Sequence, residues 1–250
     1  MPRYFIEVAY NGCNYKGFQI QQNANTIQGE LEKALATFYH TKIALTGSSR
    51  TDAGVHALQN FFHFDMDIII HPKQLYNLNA ILPKDIVAKN IRPVSMQAHS
   101  RYSATSREYT YCIYQAKDPF LQDRAYFYPY QLMPELLQEA AQVLFEYNDF
   151  TTFSKRNTQV KTFNCNIMAA KWSTADGQVI FNVAANRFLR GMVRGLVGTM
   201  LRVGRGAISI ADFRKIIECK DCSKADFSAP PQGLFLSAVN YPETIWKDVE

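Results

Sequence analysis

Two successive β-α-β-β-α-β series of hydrophobic patterns, a 47% hydrophobic composition and the lack of a long Pro/Gly/Ser linker predict an α+β protein. Its two ferredoxin-like halves, residues 1–105 and 106–250, are expected to share an antiparallel sheet. In the first half, "RYFIEVAYNG" alternates with Tyr4, Ile6, Val8 and Tyr10 on one face and runs into an Asn-Gly turn. Thr26 is a helix N-cap, since Ile27, Leu31, Leu35 and Phe38 then recur at helical spacing. "KIALTGS" counts as a second strand and "NFFHFDMD", Asn60 to Asp67, as a third. Pro72 opens a second helix, and "DIVAKNI" supplies the fourth strand.

The second half repeats the theme. "REYTYCIYQA" places Tyr109, Tyr111 and Ile113 on one strand face, and a helix follows from Pro134 through Tyr147. Asp176-Gly177 marks a hairpin turn within "NIMAAKWSTADGQVIFNVAAN". A helix is expected from about Phe188 to Val203, and another from Ser209, where Ser209 and Asp212 resemble a capping box. "GLFLSAVNY" closes the series as a strand.

At 28.6 kDa the chain can bury a full core. "MPRYFIEVAY" lacks the apolar centre of a signal peptide, and no run approaches the roughly 18 apolar residues of a membrane span, so a soluble cytoplasmic protein is expected. Five scattered cysteines, Cys13, Cys112, Cys165, Cys219 and Cys222, argue against a disulfide framework and for a reducing compartment. The Cys219–Cys222 pair follows a helical pattern and lacks the two further ligands a zinc site needs, so no metal is expected there.

Net charge is only +5, but its distribution is informative. Between Arg187 and Arg205 lie five arginines, Arg187, Arg190, Arg194, Arg202 and Arg205, and no acid, so this segment equals the whole net charge. On a helical wheel Leu189, Met192, Val193, Leu196, Met200 and Val203 share one side and the arginines fall opposite. Gly191, Gly195 and Gly198 sit among them, each costing about 1 kcal/mol against alanine inside a helix, which implies close approach of another backbone. Arg194, at the edge of the stripe, reads as a partly buried guanidinium in need of a carboxylate.

The segment "GSSRTDAGVHA", Gly47 to Ala57, offers such a carboxylate in Asp52. Taken alone, Asp-Ala-Gly reads as a turn. Beside an arginine, an aspartate stays ionised even away from water and can act as a nucleophile.

This segment resembles the G-R-T-D-A-G-V-H loop of the TruA family of tRNA pseudouridine synthases. The likeness extends in order through "YNGCNYKGFQIQQNANTIQGELEKAL", "NAILPKDI", "REYTYCIY", "ANRFLRGMVRGLVGTMLRVGRG" and "APPQGLFLSAVNYP". It implies the pseudouridine synthase fold, two ferredoxin-like halves with a central active-site cleft, and isomerisation of uridine to pseudouridine at positions 38 to 40 of the tRNA anticodon stem-loop. It assigns Asp52 as nucleophile, Arg194 as its ion-pair partner, Tyr109 as the tyrosine stacking on the target base and Arg50 as the arginine that helps expel that base. Arg187 and Arg190 are candidate phosphate contacts, Tyr111 a packing residue and His56 a structural one. A homodimer with tRNA spanning both subunits is also implied.

Breaking N1–C1′, turning the uracil and joining C5 to C1′ adds nothing and oxidises nothing, so no cofactor or metal is expected. The nucleotide must first be flipped out of the folded RNA. A tRNA-binding paralogue without catalysis is the alternative, and a zinc deaminase lacks the H-x-E and P-C-x-x-C it would need. Two positions depart from the family pattern. Ser49 stands where glycine is usual, which would be strained at positive φ, and Phe18 replaces a common tryptophan.

Overall fold

The computed structural model describes residues 1–71, 73–156 and 160–246. The chain divides into two compact units, Met1–Ser106 with Leu236–Glu250, and Arg107–Phe235.

In the first unit the order is β1 (Arg3–Tyr10), α1 (Ile27–Tyr39), β2 (Thr46–Gly47), β3 (His56–Asp65), α2 (Gln74–Ile81) and β4 (Ile86–Val94). The strands run β4-β1-β3 with β2 on β3, and every one of these pairings is antiparallel. Tyr4, Ile6, Val8 and Tyr10 are all buried, as the alternation in β1 requires. Thr26 caps α1 as expected, its Oγ1 accepting the Gly29 N–H at 3.2 Å, and Ile27, Leu31, Ala34 and Leu35 form the buried stripe. The second strand is far shorter than "KIALTGS": only Thr46 and Gly47 pair with β3, while Ile43 and Leu45 are buried without joining the ladder. Pro72 lies outside the described residues, and α2 begins at Gln74. Its Asn79 makes two hydrogen bonds of 2.8 Å with the main chain of Ala88, clamping β4 where its register against β1 shifts.

Leu236 onward was expected in the second half but falls with the first unit. Here the last strand, β9 (Leu234–Asn240), follows β3 in the sheet, and Asn240 O accepts the Thr105 N–H at 2.8 Å. Trp246 bridges Val94, and its ring packs with those of Phe5, Phe61 and Tyr241.

The second unit contains β5 (Ser106–Tyr114), β6 (Tyr126–Phe127), α3 (Pro134–Val143), β7 (Ile167–Ala175), β8 (Gln178–Ala185), α4 (Met192–Gly204) and α5 (Ile210–Glu218). Strands run β5-β8-β7 in antiparallel register. The short β6 pairs with β5 in parallel, so the sheet is mixed rather than wholly antiparallel. Asp176 and Gly177 both take left-handed backbone, φ 50° and 72°, which suits the tight turn whose twist matches the flanking strands. Ser209 and Asp212 form the full reciprocal capping box of α5.

Helix α4 departs most from expectation. It starts at Met192, not Phe188, because Gly191 sits at the N-cap with φ 77°, a value that L side chains rarely adopt. Arg187 and Arg190 therefore precede the helix. Nor is one side solvated: every residue from Met192 to Gly204 is buried except Arg194 and Arg202, both half-buried. The expected close approach of another backbone is real at Gly198, whereas Gly195 makes room for aromatic side chains instead. A Cβ at Gly198 would lie 2.2 Å from Asp226 O, and one at Gly195 would lie 2.8 Å from the Phe227 ring.

Helix propensity alone would make Gly198→Ala stabilising by about 1 kcal/mol. The Asp226 carbonyl reverses the sign. Urea unfolding should show a net loss of about 1–3 kcal/mol, typical of an overfilled core. A gain would mean the 226–228 segment yields freely.

Candidate active site

Between Gly47 and His56 the chain carries Arg50, Thr51 and Asp52 with no regular structure to hold it, so its shape must come from other contacts. Polar groups supply most of them. Asn60 on β3, 0% exposed, has a full set of partners: Oδ1 accepts from Phe61 N at 2.9 Å and Ser48 Oγ at 2.7 Å, while Nδ2 donates to Ser49 O and Tyr10 Oη, each at 3.1 Å. Tyr10 Oη in turn lies 2.9 Å from Thr51 Oγ1, and burial pushes the Tyr10 phenol up to about 12. Asp52 O accepts the Val55 N–H at 3.2 Å across a turn in which Gly54 has φ 78°.

Close packing completes the loop. A Cβ at Gly12 would sit 2.0 Å from Val55 O, so only glycine lets the β1 exit pass beneath the loop. Gly12 N donates to Nδ1 of His56, which is 2% exposed, a position that fits the structural role expected of this histidine. Phe18 stacks on Phe62 at 4.8 Å and occupies the space a Gly47 Cβ would need.

Asp52 is half-buried and Arg50 exposed. Ser49 does not take the positive φ that would strain it: the described non-glycine residues with positive φ are Asn23, His40, Asp176 and Lys220. Serine fits there without conformational cost.

In the second unit, Tyr109 on β5 is half-buried and meets Phe188 edge-to-face at 5.0 Å. Tyr111, two residues on, is fully buried, with Oη donating to Pro230 O at 2.7 Å, a packing role as expected. Burial holds its phenol well above the ordinary range, with the Arg194 charge opposing. Arg194 lies in the first turn of α4, and its Nε donates to Ala229 O at 2.6 Å. That bond fixes the guanidinium plane. Arg107, buried on β5, donates through Nη1 to Asn186 O at 3.1 Å and so anchors the chain leading to Arg187. Arg187 is half-buried and Arg190 exposed.

Sequence reasoning missed Asn60, Gly12 and Arg107 as supports. Asn60 carried a signal, an uncharged amide next to consecutive phenylalanines, where a polar residue must find partners. Cys219 caps α5 and is exposed, and Cys222 Sγ accepts from Arg156 Nε at 3.4 Å. Among the described residues no His, Cys, Asp and Glu group could hold a metal ion, and no helix is long and apolar enough to cross a membrane.

A family model described as tRNA pseudouridine synthase matches residues 140–242. The chain is 47% identical to tRNA pseudouridine synthase A of Parabacteroides distasonis over 98% of each chain. It is 46% identical to that of Bacteroides thetaiotaomicron, covering 99% of this chain and 94% of the relative, and 36% identical to that of Staphylococcus aureus, covering 96% and 92%. Such identity across essentially the whole of both chains, with the Gly47–His56 loop and the Arg194 helix inside the matched length, means that this chain belongs to the tRNA pseudouridine synthase family.

Proposed function

We propose that this protein converts uridine to pseudouridine in tRNA at positions 38 to 40, with Asp52 as nucleophile, and works as a cytoplasmic homodimer. The observation that supports this best is the 47% identity over 98% of both chains, joined to an unbroken R-T-D-A-G-V-H run from Arg50 to His56.

In this reading the RNA surrenders one nucleotide from its stack, at a cost of a few kcal/mol that backbone contacts repay. Exposed Arg50 fills the space left behind, while Arg187 and Arg190 meet phosphates. The Tyr109 ring, steadied on its edge by Phe188, stacks on the freed uracil. Asp52 then drives cleavage of N1–C1′, by attack at C1′ or by way of a glycal. The base turns and C5 bonds to C1′. The hydrogen on C5 leaves as a proton and N1 gains one, so the product is an isomer and the balance needs no oxidant, reductant or nucleotide.

Arg194 is assigned to hold Asp52 ionised. With Nε spent on Ala229 O, its two terminal NH₂ groups are the ones suited to a two-point bond with a carboxylate. Lysine cannot serve the carbonyl and the carboxylate together. Arg194→Lys should therefore lower kcat by about 10²-fold or more, as misplacing a catalytic group does, while Arg202→Lys should stay within a few fold. Equal losses from both, measured by single-turnover kinetics, would make Arg194 one more phosphate contact.

The whole reading is tested by incubating the protein with unmodified tRNA in EDTA and mapping pseudouridine along the chain by carbodiimide labelling and primer extension. Pseudouridine should appear at positions 38 to 40 and nowhere else. Tight binding with no pseudouridine in any cellular tRNA would instead establish the non-catalytic paralogue.

A further inference from the structure

The hydrogen bonds around Asn60 have only one consistent direction. Phe61 N–H can only donate, so the atom it meets at 2.9 Å is the amide oxygen of Asn60. The amide nitrogen therefore faces Ser49 O, which can only accept, and Tyr10 Oη. Tyr10, as an acceptor from Asn60, keeps one proton of its own to place. Thr51 Oγ1 lies 2.9 Å away. Either hydroxyl can donate in that bond, and in both arrangements Tyr10 Oη ties the Asn60 amide to Thr51.

We infer that Tyr10 and Asn60 are positioning residues for the reaction: a hydrogen-bond relay from Phe61 N–H through Asn60 and Tyr10 to Thr51 fixes the main chain that presents Asp52. The inference rests on the proposed role of Asp52. The main chain on either side is tied by weaker links, Phe18 N to Thr51 O at 3.1 Å and Val55 N to Asp52 O at 3.2 Å. Without the relay, Thr51 is free to turn and Asp52 moves with it.

Tyr10→Phe deletes the relay oxygen and keeps the ring. It should lower kcat for pseudouridine formation by about tenfold or more, with KM for tRNA within about twofold, the pattern of a lost transition-state interaction. Thr51→Ser, which retains the hydroxyl, should remain near wild type. Thr51→Val should resemble Tyr10→Phe, and the double variant should be no worse than either alone, as for two members of one unit. Tyr10→Phe with kcat unchanged, or with its loss confined to KM, overturns the inference. A second readout does not depend on catalysis: amide exchange at Phe18 and Val55 should quicken by about tenfold or more in Tyr10→Phe, as local opening becomes easier. Unchanged exchange overturns the relay whatever the protein's activity. An inactive wild type whose Tyr10→Phe variant still shows faster exchange refutes the role of Asp52 and leaves the relay standing.

Discussion

The fully satisfied amide of Asn60 is the constraint on which the loop around Asp52 depends. Eight residues of irregular chain, 48–55, join β2 to β3, and such chain holds one shape only if its polar groups find fixed partners. Asn60 meets two of them, Ser48 Oγ and Ser49 O, from a buried site on β3, and reaches Thr51 through Tyr10 Oη. Replacing any partner would leave a buried donor or acceptor open, at about 1–3 kcal/mol each, so the alternatives to the observed loop are all less favourable. Close contacts at Gly12 and Phe18 remove the space into which the loop would otherwise relax.

A similar logic governs the second unit. Helix α4 is buried around nearly its full circumference, and its glycines trade helix propensity for contact with the Asp226–Phe227 segment. The same stretch of chain continues to Ala229, whose carbonyl fixes Arg194, and to Pro230, whose carbonyl holds Tyr111. Small residues in α4 thus set where this segment runs, and the segment sets how the guanidinium is aimed.

Features decided by short-range chemistry were legible in the sequence. Thr26, the Asp176-Gly177 turn and the Ser209 capping box needed only neighbours within a few residues, and each formed as read. Features decided by distant contacts were not. Gly191 looked like a helix-interior residue because the apolar spacing continues through Leu189, yet its left-handed backbone ends the pattern there. Of the arginines that fall on one side of the helical wheel, Arg187 and Arg190 precede the helix, Arg205 follows it, and Arg194 and Arg202 emerge from a buried one. The loop motif itself stood out, but its supports did not: Asn60 and Tyr10 occupy ordinary strand positions, and their partners lie up to 50 residues apart in sequence.

The central claim, that this loop exists to deliver a nucleophilic carboxylate, is tested most directly with tRNA tritiated at C5 of uridine. Formation of the C5–C1′ bond must release that tritium to water. Wild-type protein should release it, and Asp52→Asn, which keeps the size and polarity of the side chain but not its charge, should release none while binding tRNA within a few fold of wild type. Tritium release by a sequence-verified Asp52→Asn protein at a rate near wild type would contradict the account.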